Sequence, residues 1–203
     1  MLDVALDPPH ELARFRETAR GLVAAGIPPR DVIWHEGDEA GLFSTPFLPS
    51  GEPLRVPGAF AALAAEVICH TDPERLPLLY EAAWRIVRGE RDLLKVAADP
   101  LVHRLLMMQK DIRRDVHKMH AFVRFRRVED VDGERFIAWF EPKHHILERV
   151  APFFTGRFPR GGAWNFSRST AFGTTVTSVF PNRVSSRSFT HRAGVIFGIT
   201  SRH

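Results

Sequence analysis

The sequence predicts an α+β chain, mostly helical, with a small antiparallel sheet built on a β-hairpin at residues 122–140 and an irregular tail. Three observations carry that expectation. Apolar residues recur at spacings of three and four through successive segments of the first 120 or so residues, the mark of amphipathic helices. The stretch from Phe122 to Phe140 is rich in aromatic and β-branched residues around a tight-turn signal, Asp132-Gly133. Beyond Arg160 the composition changes: residues 161–203 hold thirteen Ser or Thr and no Leu, Lys, Asp or Glu, and no helical period survives there.

Taken in order, the first helix is expected to open at Asp7-Pro8, with Leu12, Phe15, Ala19, Leu22 and Val23 on one face, and to end at Gly26 before Pro28-Pro29. Val32-Ile33-Trp34 reads as a short strand. Residues 36–57, rich in Gly, Pro and Ser, read as a long loop with a brief extended piece at Leu54-Arg55-Val56. A helix over 58–70 turns Phe60, Leu63, Ala64, Val67 and Ile68 inward. Asp72-Pro73 opens the next, with Pro77 distorting its first turn, and Asp99-Pro100 opens a third. In that third helix Leu101, Leu105, Met108, Ile112, Val116 and Met119 fall on one side, and His103, Lys110, Arg113, Arg114 and His117 on the other. After the hairpin, a last helix begins near Pro142 and is expected to break at Pro152. Two domains follow: residues 1–160, and a Ser/Thr/Arg-rich tail, 161–203, that is disordered or loosely β, or the product of a shifted reading frame near Arg160.

Net charge is +4, but its distribution changes what that implies. Residues 1–148 carry 20 Lys and Arg against 24 Asp and Glu, whereas residues 149–203 carry eight arginines and no acid. The basic character therefore belongs to the tail, and global charge says little about the main domain. No apolar run is long enough to span a bilayer and the first residues lack a signal-peptide pattern, so a cytoplasmic protein with no membrane partner is expected. The single cysteine, Cys69, excludes a disulfide framework and reads as a buried, inert thiol. No Gly-rich phosphate loop, nucleophile elbow or paired-cysteine site is present.

The densest chemistry lies in His117-Lys118-Met119-His120-Ala121-Phe122-Val123-Arg124-Phe125-Arg126 and, past the hairpin, in Phe140-Glu141-Pro142-Lys143-His144-His145. Lys110, Arg113, Arg114, His117, Lys118, Arg124 and Arg126 are candidates for following a phosphate backbone, with DNA as partner. The same cations also fit a solvated face neutralised by Asp111 and Asp115 at helical spacing. A second candidate is a divalent metal held by His117, His120, His144, His145 and Glu141, since imidazole and carboxylate suit zinc, manganese or iron. The His-x-x-His spacing matches no defined metal signature, and the histidines equally fit helix capping. Whether the protein is an enzyme is left open by these residues. Trp139, Phe140, Phe153 and Phe154 could stack bases if exposed, but their apolar neighbours place them in the core.

Several motifs together resemble one bacterial family. They are Val67-Ile68-Cys69-His70-Thr71-Asp72-Pro73-Glu74-Arg75, Leu79-Tyr80, Trp84-Arg85, Ala97-Ala98-Asp99-Pro100, the run from Arg113 to Arg126, Ala138-Trp139-Phe140-Glu141-Pro142, and Ala151-Pro152-Phe153-Phe154. The family is the one labelled probable DNA metabolism protein, a domain of unknown function that occurs beside a radical-SAM protein or fused to UdgX-type uracil-DNA glycosylases. The resemblance spans about residues 1–160 and implies a DNA-metabolism or repair accessory role. A metal-dependent enzyme on nucleic acid or nucleotides, and a non-catalytic adaptor for a radical-SAM or glycosylase partner, are the alternatives. It implies no catalytic residue, and no glycosylase domain follows in this chain.

Overall fold

In the computed structural model of the chain, residues 1–36, 48–49, 51–130, 133–157, 164–170, 173–179 and 194–200 are described; for 127–130, 133–137, 139, 155–157 and the last three segments the description covers backbone only. The turn residue Asp132, most of the 36–57 loop and the remainder of the tail lie outside the described residues. The chain divides into two units, Met1–Arg113 and Arg114–His203.

The first unit opens with a strand that was not expected. Leu2, Val4 and Leu6 alternate with Asp3 and Ala5, and Leu2–Leu6 forms β1 with Val4 and Leu6 buried. Helix α1 (Leu12–Ala24) follows, and β2 (Val32–Glu36) then pairs with β1 in parallel, Leu2 opposite Val32 and Leu6 opposite Glu36. A two-stranded parallel sheet here corrects the wholly antiparallel arrangement expected; a helical crossover between the strands makes the parallel pairing possible. Helix α1 also starts at Leu12 rather than at Pro8, and Glu11 at its N-cap makes no side-chain cap.

Helices α2 (Gly58–Val67), α3 (Arg75–Val87) and the first part of α4 (Pro100–Phe122) complete this unit. Pro77 is the third residue of α3, in the first turn, where backbone N–H groups have no intrahelical partner to lose, so the helix accommodates it. Asp99 caps α4 as its Asp-Pro signal indicates: Oδ1 accepts the N–H of Leu101 at 2.9 Å and of Val102 at 3.3 Å. Arg85 donates to the other carboxylate oxygen at 2.8 Å and holds the Asp99 carboxyl below its ordinary pKa.

One apolar core joins these elements, including Leu6, Phe15, Leu22, Phe60, Val67, Leu76, Tyr80, Leu105 and Met108. Each buried Leu or Phe contributes roughly 1.5–3 kcal/mol relative to exposure. Phe15, Trp34, Tyr80 and Trp84 form a chain of ring contacts with centroids 5.6, 6.0 and 6.3 Å apart. The Tyr80 hydroxyl donates to the Ile27 carbonyl at 2.6 Å, and burial pushes its pKa up. Cys69 is half-buried rather than buried, its thiol directed at the Ala65 carbonyl at 3.8 Å.

Arg75 is the most constrained side chain of the unit. It is fully buried, and its guanidinium donates to both carboxylate oxygens of Glu36 at 3.0 and 2.7 Å. It also donates to the carbonyls of Ile68, Asp72 and Pro9, each at 3.0 Å. One planar fork thereby ties the end of β2 to the C-terminus of α2, the start of α3 and the turn before α1.

The second unit contains the last turns of α4, the hairpin strands β3 (Arg126–Asp130) and β4 (Gly133–Phe140), helix α5 (Leu147–Arg157) and three tail strands. These last are β5 (Trp164–Thr170), β6 (Gly173–Val179) and β7 (Gly194–Thr200). They correct the expectation of an irregular tail. The five strands form one sheet in the order β3-β4-β7-β5-β6, every pair antiparallel. Phe140 lies opposite Val195, and Trp164 opposite Ile199. Tail strands rich in Thr, Val, Ile and Phe suit a pleated ladder, which the absence of helical period left open. Met119, Val123, Ala138, Ile146, Val150 and Phe154 are buried. Pro152 lies inside α5 and does not break it, again against expectation. No helix among the described residues is long and apolar enough to cross a membrane.

Candidate nucleic-acid interface

The seven cationic candidates divide between the units. Lys110 and Arg113 belong to the first. There Arg113 is bound by Glu66, which is itself buried: Nε to Oε2 at 2.7 Å and Nη2 to Oε1 at 3.1 Å. This pair holds the guanidinium against α2 and raises its pKa. Arg113 is thus removed from the set free to meet phosphate, although its side chain stays 63 % exposed. Lys110 is exposed and pairs with no carboxylate among the described residues.

Arg114, His117, Lys118, Arg124 and Arg126 belong to the second unit, and all are exposed. Helical spacing places Arg114 and Lys118 one turn apart on the same face. Neither they nor Arg126 form an ion pair among the described residues. The neutralisation by Asp115 that the spacing allowed does not occur, because Asp115 is buried and accepts the backbone N–H of His144 at 3.0 Å. Arg124 caps the end of α4, its Nη1 donating to the carbonyls of Ala121 at 2.7 Å and Val123 at 3.1 Å. Its charge still faces solvent.

Two aromatic side chains of the same unit are also exposed, one of them against the sequence expectation. Phe122, at the last residue of α4, is 67 % exposed, and Phe153, expected in the core, is 42 % exposed. The Phe153 ring stacks on His120 with centroids 3.9 Å apart, while Phe154 beneath it is buried. On α5, which begins at Leu147, adjacent residues point about 100° apart, so one phenylalanine turns inward and the next outward. The Trp139 side chain lies outside the described residues, and Phe140 is half-buried.

The histidines do not assemble. Among the described residues no group of three or more His, Cys, Asp or Glu side chains comes together as a metal site, and His117, His120, His144, His145 and Glu141 are all described. His117 is exposed, His144 is buried, and the His120 ring is committed to Phe153. His120 Nε2 is buried with no hydrogen-bond partner among the described residues. Burial first, and the neighbouring charge of His117 second, push the His120 pKa below its ordinary value.

Residues 73–170 match a family model described as a domain of unknown function, DUF4130. The DUF4130 match takes in α3, α4, the hairpin, α5 and β5, and with them every cationic and histidine candidate above. It runs past Arg160 to Thr170. Of the Arg113–Glu66 pair only Arg113 lies in it, since Glu66 precedes the matched segment. No curated protein and no solved structure matches the chain.

Proposed function

We propose that this protein is a DNA-metabolism accessory protein, of the repair type, that binds nucleic acid through the basic and aromatic surface of its second unit. The observation that carries the reading is the state of Arg114, Lys118 and Arg126: exposed and without a counter-ion among the described residues, while one of the two acids at helical spacing, Asp115, is turned inward. Such cations gain by displacing the counterions condensed on a polyphosphate. Exposed Phe122 and the Phe153–His120 stack add flat apolar faces suited to unpaired bases, which favours single-stranded over duplex DNA. The resemblance to DNA-metabolism proteins supports the same direction, and a radical-SAM protein or uracil-DNA glycosylase as working partner. The dispersed histidines favour binding over metal-dependent turnover.

The test is fluorescence anisotropy with labelled single-stranded and duplex DNA across a salt series, using the full chain and its Arg114→Gln/Lys118→Gln variant. Log affinity should fall linearly with log salt, and the variant's slope should be shallower by roughly 0.7 to 0.9 per phosphate contact removed. Wild-type protein with no salt-sensitive affinity sinks the proposal and leaves the adaptor role.

A further inference from the structure

The first unit holds a cleft of about 450 Å³ where α1, the chain at 53–56 and α2 converge. Its origin is legible in residue size. Ala13 on α1, Ala61 and Ala64 on α2 and Ala83 on α3 all face it, so three helices meet with methyl groups where larger side chains would close the gap. Phe15, Leu54, Val56 and Phe60 form its apolar walls, and Phe15 and Phe60 belong to the buried core. The volume lies within the range of small-molecule sites, about 300–1,000 Å³.

Among the described residues two lining side chains are polar, and both are arginines, Arg16 and Arg20. They stand four residues apart on α1, hence on one face. Neither makes an ion pair or side-chain hydrogen bond among the described residues. Arg14, on the same helix but outside the cleft, is paired with Glu11 at 3.1 Å. Uncompensated guanidinium is thus confined on this stretch of α1 to the mouth of an apolar cavity. The apolar walls, as far as the described residues form them, offer no side-chain donor or acceptor for reading a polar body, and the two forks suit a carboxylate or phosphate.

We infer that the cleft binds a small amphipathic anion, with a hydrocarbon body against Phe15, Val56 and Phe60 and an anionic head between Arg16 and Arg20. This site is built from other residues than the nucleic-acid surface: α1 and α2 precede the matched segment, and neither arginine belongs to the second unit. A ligand of this class would link the accessory protein to a metabolite or acyl group rather than to the DNA backbone.

Isothermal titration of the full chain with decanoate, decyl phosphate and the neutral analogue decanol tests it. Saturable one-to-one binding of either anion, with decanol at least tenfold weaker, is expected; the tighter anion identifies the head group. Arg16→Gln/Arg20→Gln should weaken the anion at least tenfold without moving the thermal midpoint, since neither side chain has an ion-pair or hydrogen-bond partner among the described residues. Ala61→Leu, which fills the half-exposed edge of the cleft, should abolish binding while the protein remains folded by circular dichroism. No saturable binding, or anion binding unchanged in both variants, overturns the inference. Equal binding of decanol and decanoate overturns it as well, because the arginines would then select nothing.

Discussion

Arg75 in the first unit and Arg114 in the second are the same side chain in opposite circumstances. Around Arg75, a carboxylate and three carbonyls use the guanidinium completely, and no part of it reaches water. Arg114 is exposed, and the acid next to it in sequence, Asp115, faces the other way to hold His144. The contrast extends to neighbours in the chain, because Arg113 is bound to Glu66 while Arg114 has no ion-pair partner among the described residues. What separates a structural cation from one available to a ligand is therefore its partners across the fold, which neither residue type nor exposure reveals.

The largest effect should come from breaking the closed side of this comparison. Arg75→Met keeps the apolar stem but leaves Glu36 partly buried without its cation and three carbonyls without a donor. A loss of about 3–5 kcal/mol in urea unfolding is expected. A loss near zero would show that the buried fork is dispensable and the contrast empty. Tyr80→Phe removes one buried hydroxyl from the Ile27 carbonyl and should cost about 1–3 kcal/mol by the same assay.

His120 gives the next effect, and it depends on pH. Its folded-state pKa lies below the ordinary 6.5, so the unfolded chain takes up the proton first as pH falls. Its contribution is fully present above that value and declines as pH drops through the window beneath it. Thermal midpoints measured from about pH 7 down to pH 5 should fall less steeply in His120→Phe, which keeps a ring stacked on Phe153. An unchanged slope would place the acid sensitivity elsewhere. The smallest change is expected on the open side: Arg114→Gln/Lys118→Gln should alter stability by no more than about 0.5 kcal/mol while reducing DNA affinity. A larger destabilisation would mean these cations have structural partners after all.

The legible parts of the molecule are those set by local chemistry. The inward residues of α4, from Leu101 to Met119, follow from a single period, and Asp99 caps the helix by its own side chain. Where several local signals compete, reading fails: Asp7-Pro8 resembles a helix start, yet the alternation of Leu2, Val4 and Leu6 beside it belongs to a strand. Arg75 gave no sign of its importance because Glu36 lies thirty-nine residues away and is met only through β2. The same holds for the candidate site. Its cations were visible as a helical face, but their availability depended on Glu66 and His144, partners no spacing within α4 could disclose. The alanine-lined cleft is a property of three helices together and of none alone.

The order β3-β4-β7-β5-β6 places β7, which follows the other four in the chain, at the middle of the sheet. Until residues 194–200 have left the ribosome, the hairpin β3-β4 and the hairpin β5-β6 have no ladder joining them. Each therefore emerges with an unpaired edge, the condition that invites association between nascent chains. Assembly of this sheet must await residues 194–200, and loss of that strand would leave two separate hairpins in its place.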